Sequence, residues 1–106
     1  MDAILSALKE EREQAEKLLK RYEKEFASLP VGTFFVRKLR NGQYGYITQS
    51  EQGKVRQVYL GKLEVDDIAK YKEQMARKRK LRELMKKAMQ QKLFLEKALR
   101  HARKKG

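Results

Sequence analysis

The sequence of 106 residues contains no cysteine, no tryptophan, a single histidine and a single proline. Without cysteine, neither a disulfide bond nor a thiolate metal site can form, and one histidine cannot supply a cluster of imidazole ligands. We therefore expect no metal and no cofactor. No apolar run approaches the roughly 20 residues of a membrane-spanning helix, and the first residues do not resemble a signal peptide. These absences predict a soluble, cytoplasmic protein with no membrane partner.

The groups that catalysis requires are equally scarce. His101 lies in a stretch rich in Lys and Arg, where a solvated surface histidine is the ordinary interpretation. The serines, at positions 6, 28 and 50, have no candidate base near them in the sequence. The glycines are spaced as turns and not as a phosphate-binding loop. We predict that the protein is not an enzyme.

Positive charge is abundant, with a net charge of +13, and it is unevenly distributed. Residues 1–30 carry six Lys or Arg against seven Asp or Glu, residues 31–63 carry six against one, and residues 64–106 carry fifteen against six. A near-neutral segment followed by two basic ones favours a polyanionic partner, of which nucleic acid is the commonest. A solvated, Lys-rich helix surface is the alternative explanation.

Hydrophobic periodicity predicts three segments within one domain spanning residues 1–106. Residues 1–29 repeat apolar side chains at helical spacings, which indicates an amphipathic helix ending before Pro30. Residues 31–63 change to a period of two, with turn signals at Asn41-Gly42 and Gln52-Gly53, which indicates a three-stranded antiparallel β-meander. Residues 64–105 contain neither Pro nor Gly, and we expect a long basic helix or a helical hairpin there. The predicted fold class is α+β.

The apolar stripe of the last segment changes phase at "RKRK", residues 77–80. Ile68, Tyr71 and Met75 follow one phase, whereas Leu81 and Leu95 follow another. Such a shift indicates either a bend or two halves that face different partners. The apolar stretch "LFLEKAL", residues 93–99, is expected to be buried.

If Asn41-Gly42 and Gln52-Gly53 are two-residue loops, Arg40 pairs with Gln43 across the first turn. Across the second turn, Ile47 pairs with Val58, Tyr46 with Tyr59 and Gly45 with Leu60. This register sorts the strand side chains onto two faces. One face is aliphatic and needs a covering helix; its members are Phe34, Val36, Ile47, Val58 and Leu60. The other face mixes aromatic rings with hydrogen-bonding side chains; its members are Phe35, Arg37, Leu39, Tyr44, Tyr46, Thr48, Gln57 and Tyr59.

The mixed face and the basic helix together predict a nucleic-acid-binding surface. A small sheet can enter the major groove of duplex DNA, and aromatic rings can stack on unpaired bases. Consecutive helix cations suit phosphate contacts. The predicted binding residues are Arg37, Lys38, Arg40, Tyr44, Tyr46, Lys54, Arg56, Tyr59, Arg77, Lys78, Arg79, Lys80, Arg82, Lys86 and Lys87. We favour DNA over RNA as the partner, and duplex DNA over single strands, with the mixed face and the cations of residues 77–87 contacting it together.

Two alternatives stay open at this stage. In the first, the tyrosines at positions 44, 46 and 59 are ordinary cross-strand packing, half covered by the first helix or by the C-terminal segment. In the second, the protein is a protein–protein module, such as a phage or mobile-element inhibitor or adaptor. In that case its helices form a coiled-coil-like surface for an acidic partner or for a second copy of the chain.

The central segment "GTFFVRKLRNGQYGYITQSEQGKVRQVYLGK" resembles the three-stranded arm-type DNA-binding domain of phage tyrosine integrases. It is also similar to a group of small, basic, uncharacterised bacterial and archaeal proteins found near mobile elements, which share an "LP-x-G-[ST]" start, a Tyr-rich strand, "GKV" and "YLGK". The similarity covers residues 29 to about 67. The chain has no integrase catalytic domain, and the arm domain has no comparable long flanking helices. The resemblance implies a binding sheet and no activity.

Overall fold

The computed structural model describes residues 2–104. The elements follow in the order α1 (Asp2–Ser28), β1 (Thr33–Leu39), β2 (Gly42–Glu51), β3 (Lys54–Leu63) and α2 (Val65–Lys104). The predicted α+β class is confirmed, and the open choice for the last segment is decided in favour of one helix. The predicted segments also include Met1 and Lys105, and the predicted domain also includes Gly106; these three residues lie outside the described ones.

The residues group into two compact units, and α2 contributes to both. The helical unit contains α1 up to Phe26 and α2 from Lys80 onward, and the sheet unit spans residues 27–79. The boundary falls inside the "RKRK" stretch, where the apolar stripe changes phase. Each half of α2 packs within a different unit. The phase change therefore agrees with the prediction that the two halves of the helix face different partners.

In the helical unit, α1 and the second half of α2 pack antiparallel. The guanidinium of Arg82 lies over the Phe26 ring near one end, 5.4 Å from its centroid. Towards the other end, Gln91 shares a small cleft with Glu11 and Gln14. Among the described residues of this unit, the buried side chains are those of Ala15, Leu19, Leu81, Ala88, Leu95 and Leu99. Within the "LFLEKAL" stretch the prediction of burial holds for Leu95 and Leu99 only, since Leu93 and Phe94 are 55% and 71% exposed.

In the sheet unit, the strands form one antiparallel sheet in the order β1-β2-β3. The first half of α2 packs on the aliphatic face, where Tyr71 stacks on Phe34 with ring centroids 4.8 Å apart. Ile47 of this face and Ile68 of α2 are both buried. We call this side of the sheet the covered face.

The helix α2 begins with a capping interaction. The backbone N–H of Glu64 donates to Oδ2 of Asp67 at 3.1 Å, and the Glu64 carbonyl accepts the N–H of Ile68 at 3.1 Å. The Asp67 contact is one half of a capping box, with the acidic residue at the third helical position. An acidic first turn also suits the positive end of the helix dipole.

The register of the first hairpin differs from the prediction by two residues. Leu39 pairs with Gly42, so the two loop residues are Arg40 and Asn41, and the predicted pairing of Arg40 with Gln43 is wrong. Type I turns favour glycine directly after their two central residues and need no positive φ at those positions. Neither Arg40 nor Asn41 has positive φ. An even shift leaves every side chain on its predicted face, because side chains alternate with a period of two.

The second hairpin follows the prediction as far as a β-bulge. Ile47 pairs with Val58 and Tyr46 with Tyr59, as predicted, and Gln52 and Gly53 form the two-residue loop. The predicted pairing of Gly45 with Leu60 is wrong, because Gly45 pairs with Gly61 and leaves Leu60 as an extra residue. Gly61 has a φ of 97°, a left-handed conformation that favours glycine and is common at bulges.

Candidate nucleic-acid interface

The second face of the sheet presents a row of aromatic side chains. Register places Phe35 opposite Tyr46, and Tyr46 opposite Tyr59. The Phe35 and Tyr46 rings stack with centroids 5.2 Å apart, and the Tyr46 and Tyr59 rings lie 5.3 Å apart at a tilt of 47°. Tyr44 extends the row, with its ring 6.5 Å from that of Tyr59. These four rings form one continuous cluster across all three strands.

Two cations accompany the rings on this face. The Arg37 guanidinium lies over the Tyr46 ring, with its central carbon 5.6 Å from the ring centroid. Lys62 pairs with Tyr44, and its side chain crosses Gly42 so closely that a Cβ atom there would lie 2.6 Å from Lys62 Cε. We call the surface formed by Phe35, Arg37, Tyr44, Tyr46, Tyr59 and Lys62 the aromatic face.

Lys62 was absent from the sequence-predicted site, and the bulge explains why. In an uninterrupted register Lys62 would share the covered face with Val58. The extra residue at Leu60 shifts the alternation by one, which moves Lys62 onto the aromatic face. The sequence signal for this shift was Gly61, since a glycine inside a strand often marks a bulge.

The rings of the aromatic face are open to solvent to different degrees. Tyr59 is 58% exposed, whereas Phe35, Tyr44 and Tyr46 are half-buried. The half-buried rings cover one another, and α2 of the same unit packs on the opposite face. Each aromatic pair stabilises a sheet by about 0.5–1.5 kcal/mol beyond its buried area. Cross-strand packing therefore explains why three of the rings are half-buried, and it leaves the Tyr59 ring exposed to solvent.

The structure brings together only some of the predicted binding residues. Arg37, Tyr44, Tyr46 and Tyr59 share the aromatic face. Lys38 and Arg56 pair with Gln43 and Gln49, and so alternate onto the opposite side. Arg40 lies in the first turn, and Lys54 follows the second. The remaining exposed cations lie along α2: Arg77 and Arg79 in the sheet unit, and Lys80, Arg82, Lys86 and Lys87 in the helical unit.

Lys78 is a correction to the predicted set. Its side chain is 5% exposed, and its Nζ donates a hydrogen bond to the Pro30 carbonyl at 2.8 Å. Burial of an ammonium group is costly unless hydrogen bonds replace its water. The Lys78 ammonium therefore serves the sheet unit internally, and it is not available to a phosphate at the surface.

Comparison with models of protein families matches residues 7–70 to a domain of unknown function, DUF6788. The chain belongs to this family. The DUF6788 match contains the whole sheet, and with it the whole aromatic face, and it ends before the cations of residues 77–87. Searches of curated proteins and of solved structures found no match. The resemblance to the integrase arm domain stays a prediction.

Two further properties concern the residues that the structure describes. Neither α1 nor α2 is long and apolar enough to cross a membrane. Within residues 2–104, no three side chains of His, Cys, Asp or Glu come together in a way that could hold a metal ion.

Proposed function

We propose that this DUF6788 protein binds nucleic acid by stacking unpaired bases on the aromatic face. The observation that carries the proposal is the row of four rings on the side of the sheet that α2 of the same unit leaves open. A base stacked on a protein ring contributes about 1–3 kcal/mol, whichever base it is. The net charge of +13 adds attraction for any phosphate backbone.

Unpaired strands suit this surface better than a duplex. In the duplex hypothesis, Arg37 and the helix cations contact one DNA molecule together. The Arg37 guanidinium already lies over the Tyr46 ring, and Arg77 and Arg79 belong to the part of α2 that packs on the covered face. Flat rings and a guanidinium plane are the groups on which splayed bases stack. Single-stranded DNA is the first ligand to test, with the same sequence as RNA and as duplex DNA beside it.

The test compares two substitutions that each replace an exposed ring by leucine. Tyr59→Leu removes a ring from the aromatic face, and Phe94→Leu removes one from the helical unit, where Phe94 is 71% exposed. Fluorescence anisotropy with a labelled 20-nucleotide strand should show Tyr59→Leu weakening binding about 5- to 150-fold, the equivalent of losing one stacked base. Phe94→Leu should bind as the unsubstituted protein does.

The salt dependence provides an independent measurement. The affinity for single-stranded DNA should fall linearly with the logarithm of salt concentration, because phosphate neutralisation releases counterions. An affinity that does not change with salt, or an equal effect of the two leucine substitutions, would contradict the proposal. If the protein binds duplex DNA more tightly than single-stranded DNA, insertion of the sheet into the major groove becomes the favoured mode of binding.

A second candidate function is association with another protein through the helical unit. Met89, Leu93 and Phe94 of α2 are 40%, 55% and 71% exposed, and exposed apolar side chains grouped on one helix often mark an interface. Sedimentation equilibrium of the purified protein tests for a homodimer. In a pull-down, a direct protein partner stays bound after nuclease treatment, whereas a partner bridged by nucleic acid is released.

A further inference from the structure

The sheet unit contains a second surface, a groove between β1 and α2. Three consecutive residues of β1 line it, Phe34, Phe35 and Val36. Consecutive strand residues point to opposite faces, so a groove that touches all three runs along the edge of the strand. Lys72, Met75 and Arg79 form the helix side of the groove, and Lys38 also lines it. Its volume of about 510 Å³ lies within the range of about 300–1,000 Å³ that is usual for ligand pockets.

The backbone along this edge is available for pairing. β1 is an edge strand, since the sheet order is β1-β2-β3. The N–H and C=O groups on its outer side are not used by the sheet, and such groups accept an added strand from another chain. With seven residues, β1 offers an edge of about 23 Å.

The cations of the groove lie towards its two ends. Tyr71, next to Lys72, stacks on Phe34 in the strand, whereas Lys78, next to Arg79, bonds to Pro30 before the strand begins. The helix α2 therefore runs antiparallel to β1. Arg79 lies at the start of the strand, and Lys72 lies beside Phe34, the second residue of the strand. Lys38 lies near the end of β1, and the apolar groups between the two ends come from Phe34, Val36 and Met75.

We propose that this groove binds an extended acidic peptide segment, which adds a strand to the edge of β1. The side chains of the peptide that point towards α2 are acidic at both ends and aliphatic between them. The acidic groups meet Arg79 and Lys72 towards the start of β1 and Lys38 at its end, and the aliphatic groups contact Met75 and Val36. A nucleic acid backbone would use the cations but neither the apolar centre nor the strand edge, which is why a peptide is favoured.

The probe is the synthetic peptide acetyl-Glu-Thr-Leu-Thr-Val-Thr-Glu-amide, and the control peptide replaces both Glu by Gln. Binding is measured by calorimetry, and amide hydrogen exchange reports on β1. We expect the Glu peptide to bind at least about tenfold more tightly than the Gln peptide, and to slow exchange in β1. Alternate N–H groups of an extended peptide point to opposite edges, and only one edge of the added strand pairs with β1. Methylating the nitrogens on the paired edge should therefore abolish binding, and methylating those on the other edge should not.

Charge reversal at the groove is compared with the same reversal elsewhere. The double variant Lys72→Glu with Arg79→Glu should lose binding of the Glu peptide, while Lys97→Glu with Arg100→Glu, on exposed positions of the helical unit, should keep it. Circular dichroism verifies that both variants are folded. Equal losses in the two variants, or equal binding of both methylated peptides, would overturn the proposal. The proposal would also be overturned if the Glu peptide does not bind while the binding of a labelled single-stranded DNA depends on Lys72 and Arg79. None of these outcomes depends on whether Tyr59 contacts bases.

Discussion

Lys78 is one of four consecutive cations, and the arginines on either side of it are exposed. A helix turns about 100° per residue, so four adjacent side chains point in four directions and one of them faces the sheet unit. The long aliphatic part of a lysine can pack against apolar neighbours while its ammonium reaches a backbone carbonyl. The Pro30 carbonyl is this acceptor, and the bond connects α2 to the segment between α1 and β1.

Replacing Lys78 tests this internal role. Lys78→Met keeps much of the aliphatic volume but removes the donor to the Pro30 carbonyl. We expect a loss of about 1–3 kcal/mol in the free energy of unfolding, measured by urea denaturation. Lys80→Met, on an exposed position, should change it by less than about 0.5 kcal/mol. If the two variants are equally stable, the Lys78 ammonium does not stabilise the sheet unit.

At the scale of elements, the bulge in β3 controls which residues lie on the aromatic face. Gly61 has a φ of 97°, where a side chain is strained even though the space around its Cα is open. The strain of a non-glycine residue in such a conformation is about 1–3 kcal/mol. Tyr59 precedes the bulge and Lys62 follows it, so both depend on it for sharing a face.

Gly61→Ala should therefore destabilise the protein by about 1–3 kcal/mol. Gly53→Ala is a suitable control, because Gly53 also has positive φ and open space but lies in a turn, away from the bulge. Both variants should lose stability, and only Gly61→Ala should move the NMR signals of Lys62 and Tyr44. Unchanged signals in Gly61→Ala would show that the bulge does not require glycine.

The second half of α2 allows a comparison within one helix. Leu81 is fully buried in the helical unit, whereas Leu93 is 55% exposed. Leu81→Ala should lower the free energy of unfolding by about 2–5 kcal/mol, because it leaves a cavity in the packed interior. Leu93→Ala should cost less than about 1 kcal/mol, since its side chain loses little buried area on truncation. Similar losses from the two substitutions, measured by urea denaturation, would mean that Leu93 is covered in solution.

The elements and their faces were predictable because they depend on periodicity. Helical spacing gave α1, and a period of two gave the strands. The two-residue error in the first hairpin did not affect the faces. Periodicity predicts neither the bulge at Leu60, whose one sequence signal was Gly61, nor the inward direction of Lys78, which depends on a contact with Pro30, distant in sequence. The aromatic cluster was therefore anticipated, and Lys62 was not.

For the whole molecule, the net charge of +13 opposes self-association. Like charges repel over a distance that salt shortens, from about 30 Å at 0.01 M to about 8 Å at 0.15 M. If Leu93 and Phe94 mediate a homodimer, raising the salt concentration should strengthen it, while the same change weakens nucleic acid binding. Sedimentation equilibrium at the two salt concentrations should then give a higher mean mass at 0.15 M. Phe94→Ser should abolish the increase, and an increase that persists in this variant would locate the contact elsewhere.

The odd residue in β3 also has a genetic consequence. Deleting the codon for Leu60 would return β3 to strict alternation and leave Gly61 opposite Gly45 and Lys62 opposite Tyr44, so Lys62 would stay on the aromatic face. Adding or removing a codon at the Gln52-Gly53 turn would alter only the length of a surface loop, which proteins tolerate well. Length variation among natural DUF6788 sequences is therefore expected at that turn, and between Tyr59 and Lys62 it is expected only as loss of the one extra residue.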